Sequence, residues 1–171
     1  MKGSAYTGLT ADEAWAVATS ADVDLLDRDG VEQVLVGLRT ARSRLDAVEV
    51  RVARRLRYLA GQGRSESAEH AISCGVGKTG RDARDVTDRD ELCEQQPELE
   101  DALDAGDLTG AHLDAIQRAA AKLPDDVRAE FLAYTDQLLA RARVLSPYRF
   151  SRECRDLARH LVAVSRRGRS E

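Results

Sequence analysis

Glu66, His70 and Cys74 stand four residues apart, a spacing that stacks three donors of metal-ligating type along one side of a helix. A zinc site asks for a fourth ligand and for hydrogen-bonding groups behind the ligands, and the neighbouring sequence supplies neither. The three read instead as a surface Glu, a helix His and a helix-end Cys, and no metal is expected. Gly77-Lys78-Thr79 has the ending of a phosphate-binding loop, but Ile72 occupies the place of that loop's first Gly and no strand leads into it. A turn ahead of a Thr-capped helix accounts for the same residues. His112 and His160 are isolated, so no nucleophile–His pair, H-E-x-x-H or H-N-H-type metal signature can be assembled. No catalytic residue and no cofactor is expected in this chain.

Arginine is the remaining residue type with chemistry to offer. Of the 26 basic residues only Lys2, Lys78 and Lys122 are Lys. The Arg guanidinium forms a planar fork that matches phosphate, although a GC-rich genome also enriches Arg. Charge divides unevenly along the chain: residues 31–60 hold seven Arg against three acids, residues 61–110 hold 13 acids against five basic residues, and residues 146–171 hold seven Arg against three acids. The net charge of −4 therefore hides two basic segments around an acidic middle. Arg51, Arg54, Arg55 and Arg57 in the first, with Arg152, Arg155 and Arg159 in the second, are the candidate phosphate contacts. If the two segments are neighbouring helices, they form one basic surface. The opposing reading is a solvated Arg face partly paired with Asp46, Glu49, Glu153 and Asp156.

The elements that carry these residues are helical. The chain has 26 Ala and 20 Leu but only two Ile and seven aromatic residues, a mixture that favours helix over strand. It also argues against an aromatic platform for single strands. Thr10 with Glu13 opens a helix to about Thr19, with Ala14, Trp15 and Ala18 inward. Asp29 with Glu32 opens the longest helix, which runs to about Ala60 and ends at Gly61 and Gly63. Along it Val31, Val34, Leu38, Ala41, Leu45, Val48 and Val52 alternate spacings of three and four, the seam of a helix packed on one straight partner. Ser67 opens a short helix over 68–73, and Thr79 caps another to about Gln95. Pro97 starts a helix that Gly106 stops, and Thr109 caps the next. Pro124 starts a long helix through Val127, Phe131, Tyr134, Leu138 and Leu145, and Ser146-Pro147 starts the last, with Phe150, Cys154, Leu157, Leu161 and Val164 inward.

The expected fold is all-α: a bundle of about seven to eight helices with one long helix in the N-terminal half. Residues 1–9 read as a flexible leader, 10–164 as a single helical domain and 165–171 as a polar tail. The helices over 68–73 and from Thr79 have helix-turn-helix proportions, but residues 81–94 carry three Arg against six acids. A face that acidic repels phosphate, and Arg81–Asp85 and Asp85–Arg89 read as i, i+4 pairs on a solvated helix. No apolar run is long enough to span a bilayer, and the N-terminus shows no signal pattern. Three widely spaced Cys imply no disulfide framework, so a cytoplasmic protein is expected.

The order Pro97, Ala102-Leu103, Gly106, Leu108-Thr109, His112 and Ile116 resembles the actinobacterial domain of unknown function 222, typically found ahead of an HNH endonuclease module. Further matches are Ser67-Ala68, Thr79 with Ala83, Leu123-Pro124, Leu145-Ser146-Pro147 and Leu157-Ala158, so the likeness spans about residues 31–164. Ala71 stands where the family often has Trp, Gln96 where an apolar residue usually precedes the Pro, and Asp90 at a normally small apolar site. These departures imply that the helix over 79–95 is packed differently or is more exposed. The resemblance implies a companion domain of a DNA-acting protein, with endonuclease activity only from a module beyond residue 171. Within the motif, Gly106 is expected to take a left-handed cap and Leu108 to plug the junction. Thr109 caps the next helix and places His112 to hydrogen-bond back across the corner.

Two functions are therefore expected to compete. One is a non-catalytic module that engages or positions DNA through its Arg faces. The other is a protein-interaction or oligomerisation module that self-associates through the long helix.

Overall fold

The computed structural model describes residues 23–168 together with Ala16, Thr19 and Ser20. The expected Thr10–Glu13 capping box and the inward Trp15 lie outside the described residues. A short 3-10 turn at Val23–Leu25 precedes eight α-helices among the described residues. They are α1 (Arg28–Gly61), α2 (Ala68–Val76), α3 (Gly80–Gln95), α4 (Pro97–Ala105), α5 (Gly110–Ala120), α6 (Asp125–Leu132), α7 (Thr135–Ala142) and α8 (Pro147–Gly168). The all-α bundle with one long helix in the N-terminal half is what composition and periodicity predict.

The caps explain most boundaries. Ser67 and Thr79 accept hydrogen bonds from the His70 and Asp82 N–H groups, and Pro97 sits in the first turn of α4. At the start of α1 the cap is Asp27, which accepts from the Gly30 N–H at 2.8 Å, two residues ahead of the expected Asp29. The long helix expected after Pro124 is broken into α6 and α7. At the break Tyr134 N–H donates to the Phe131 carbonyl in a tightened turn, and the buried Thr135 hydroxyl takes the Leu132 carbonyl at 2.7 Å. The last helix continues through the first four residues of the expected tail, to Gly168.

Most of the core lies among α1, α3, α4, α5, α6, α7 and α8, with Leu92, Leu99, Leu103, Leu113, Ile116, Phe131, Phe150 and Leu161 among its buried residues. A smaller cluster of Ala53, Ile72, Ala83 and Val86 fastens α2 and α3 to α1. Val164, expected inward, is exposed, and Ala158 is buried. The largest departure concerns α1. Its buried residues are Val34, Gly37, Ser43, Ala47, Val50 and Ala53, and of the expected seam only Val34 is fully buried. Val31, Leu45, Val48 and Val52 are exposed. Small residues let the neighbouring backbones approach closely, which outweighs the greater apolar area of the seam. The Ser43 hydroxyl, for instance, lies between the Leu103 carbonyl, at 2.7 Å, and the Leu108 carbonyl.

Helix α3 is a central strut and does not present a free solvated face. It packs on α1, α2, α4 and α5. Asp90 is fully buried on it, and accepts from Arg54 Nε at 2.9 Å and from Arg57 at 2.7 Å. Of the two alternatives expected for this helix, different packing or greater exposure, greater exposure around Asp90 is thus corrected. Two guanidinium groups replace the hydration the carboxylate loses. Arg89 is likewise drawn inward, forking onto Asp114 at 2.7 and 3.0 Å with Asp46 at 3.4 Å, in place of the expected surface pair with Asp85.

Candidate nucleic-acid interface

Three of the four α1 arginines named as candidate phosphate contacts pair with carboxylates of the protein itself. Arg51 pairs with Asp104 at 2.5 Å, Arg54 with Asp90 and Glu100 (2.7 Å), and Arg57 with Asp90 and Glu94 (3.2 Å). These bonds bind α1 to α3 and α4. Arg55, without a carboxylate partner among the described residues, lies with its guanidinium 5.0 Å from the centre of the Tyr58 ring. Nor do α1 and α8 form a joint basic surface, because α8 packs principally on α5, α6 and α7, whereas α1 packs principally on α2, α3 and α4.

The α8 arginines are arranged differently. Arg152, Arg155 and Arg159 line a groove of about 1040 Å³ between α5 and α8, joined there by Arg118, Lys122 and Arg166. Asp156 is the one acid on its walls among the described residues. The floor is apolar, made by residues such as Ala115, Ala119, Leu123, Ala158 and Val162, and Tyr148, 72% exposed, stands at its edge. Arg118 is offset by Asp85 and Asp114, and Arg159 pairs with Asp156. Among the described residues Lys122, Arg152 and Arg155 face no carboxylate within ion-pair distance. Arg155 Nε donates only to the Ser151 carbonyl, at 3.2 Å. Three uncompensated cations along a concave wall focus a positive potential even in a chain of net charge −4. Arg118 and Lys122 were not legible as partners of this group, since only the packing of α5 on α8 brings them to it.

That packing is set by the Pro97–His112 segment. Gly106 has φ +84°, and the Asp107 N–H reaches back to the Ala102 carbonyl at 3.0 Å, closing α4 with a left-handed turn. Leu108 plugs the junction and is buried, as expected. His112 is 1% exposed. Its Nδ1 accepts the Thr109 backbone N–H at 3.1 Å, so Nε2 carries the proton and donates to the Leu145 carbonyl at 3.2 Å. The ring also meets Phe150 edge-on, centroids 5.2 Å apart. His112 therefore closes the first turn of α5 and holds it to the start of α8. Burial pushes its imidazole below the ordinary His range, which favours the neutral tautomer these bonds require.

Asp46 on α1 completes the arrangement by accepting the Gly110 N–H at 2.6 Å, capping α5 from another helix. Burial raises its carboxyl against the opposing pull of Gly110 and Arg89. A side chain at Gly110 would collide with Arg89 and Asp46, a close approach that demands glycine.

The other sequence candidates are tied down locally. Lys78 pairs with Glu49 at 2.7 Å, and Ser73 donates to the Lys78 carbonyl. His70 Nε2 lies 3.3 Å from Glu66 and 3.7 Å from Cys74, all three exposed. Among the described residues no group of His, Cys, Asp or Glu is arranged to hold a metal ion, and no helix is long and apolar enough to cross a membrane.

No family model matches this sequence, and no curated protein or solved structure matches it either.

Proposed function

We propose that this chain is a non-catalytic helical module that engages DNA by seating its phosphates along the α5–α8 groove. The observation that carries the reading is the convergence of Lys122, Arg152 and Arg155, which face no carboxylate among the described residues, on one groove with a single described acid on its walls. The resemblance to the domain that precedes HNH endonuclease modules agrees with this assignment, and among the described residues the groove presents no nucleophile–base pair of its own. Phosphate contacts carry no base code, so binding is insensitive to sequence and falls with salt.

The test is fluorescence anisotropy with labelled DNA across a salt series. Three to four phosphate contacts predict a slope of log K against log salt of about −3. Lys122→Glu with Arg152→Glu removes binding without changing the melting temperature, because both side chains are exposed. Arg54→Ala with Arg57→Ala does the reverse, lowering stability and leaving the binding of the folded protein intact. Absence of binding at low salt, or binding that survives the groove double variant, overturns the assignment.

A further inference from the structure

The outward face of α1 carries a stripe that the bundle covers fully only at Val34. Val31, Leu35, Leu45, Val48 and Val52 are exposed along it, Leu35 at 59% and Leu45 at 61%, with Leu38 half-buried between them. Val31, Leu38, Leu45 and Val52 recur every seven residues, the period at which a second straight helix keeps contact along its length. The helices packed principally on α1, namely α2, α3 and α4, meet its other side, where Gly37, Ser43, Ala47, Val50 and Ala53 are buried.

We propose that this stripe is a self-association surface on which α1 of a second copy packs antiparallel, with Leu45 at the two-fold axis. An identical helix offers the same period and the same length of apolar face, about 32 Å from Val31 to Val52. Antiparallel pairing about Leu45 sets Leu38 against Val52 and Val31 against Leu59. It also sets Arg42, which has no carboxylate partner among the described residues, beside Glu49 of the second copy. Glu49 uses one oxygen for Lys78 and has the other available. Leu45 and Arg42 also line a cleft of about 700 Å³ with the exposed Val144, which widens the apolar surface at the axis. The stripe exposes about 400 Å² of apolar side chain per copy, so pairing two copies covers about 800 Å² of it, at the lower end of specific interfaces.

Light scattering of the full chain at about 100 µM, far above the dissociation constant of a stable dimer, gives twice the monomer mass. Leu45→Glu halves that mass and leaves the helical content at room temperature unchanged. In a Cys74→Ser background, where Cys93 and Cys154 are buried, Leu45→Cys crosslinks to itself on mild oxidation. Leu38→Cys alone does not crosslink, and a mixture of Leu38→Cys with Val52→Cys does. A monomer at this concentration overturns the proposal, whatever else covers the stripe. A dimer indifferent to Leu45→Glu overturns the face, and self-crosslinking of Leu38→Cys overturns the antiparallel register. None of these readouts depends on nucleic-acid binding.

Discussion

Replacing His112 by Ala tests whether the clasp between α5 and α8 is structural. The substitution leaves the Thr109 N–H and the Leu145 carbonyl without partners, at about 1–3 kcal/mol for each group that stays buried. It also removes the edge contact with Phe150, worth about 0.5–1.5 kcal/mol. With water admitted to part of the space, the loss is about 3 kcal/mol, or roughly 6–12 °C in melting temperature for a chain of this size. His112→Gln separates the two hydrogen bonds. Gln at the third helical position reaches back to the cap N–H, as in a capping box, but does not replace the ring between Leu145 and Phe150. It should recover about half of the loss.

The pH dependence is the sharper readout. The folded-state pKa of His112 lies below its unfolded value of about 6.5, so the unfolded chain binds the extra proton first. The stabilisation from His112 is therefore complete above about pH 6.5 and is lost as pH falls from there through the lowered folded value. Urea unfolding at about pH 7.5 and about pH 5.5 should show the gap between wild type and His112→Gln shrinking at the lower pH. A gap that stays constant, or a His112→Ala variant that melts with the wild type, refutes the tautomer and the clasp together. Unchanged melting with lost DNA binding would move His112 from the scaffold to the site.

Gly106→Ala places a residue at φ +84° and drives its Cβ to 2.9 Å from Thr40 Cγ2, so urea unfolding should show a loss of at least about 1–2 kcal/mol. Burial pushes the thiols of Cys93 and Cys154 up to about 12, whereas Cys74 is exposed. A thiol reagent at about pH 8 should modify one cysteine of the native chain and all three in denaturant. Rapid native modification of two or three refutes the packing of α3 on α4 or of α8 on α5.

Much of this architecture is legible in the sequence because it depends on groups within one helical turn. Ser67, Thr79, Pro97, Gly106 and Thr109 mark their helix ends through bonds to residues three to five away, and the apolar spacing of α4 and α5 names the residues they bury. The bend at Tyr134 is also local, but an uninterrupted apolar pattern masks it. The choice of buried face on α1 is not local. Both the seam at Leu45 and the line of small residues at Gly37, Ser43 and Ala47 satisfy a helical period, and only the approach of α4 decides between them.

The same limit applies to charge. From the sequence, Arg54, Arg57 and Arg152 are equivalent basic residues on helix surfaces. In the folded chain Arg54 and Arg57 close on an Asp90 more than 30 residues away, and Arg152 faces an open groove beside Lys122. Composition and periodicity determine that the chain is helical and where most helices start. Tertiary packing decides which cations are consumed, because an Arg side chain takes whichever carboxylate the neighbouring helix brings within hydrogen-bonding reach, and that pairing is set by register between helices rather than by distance along the chain.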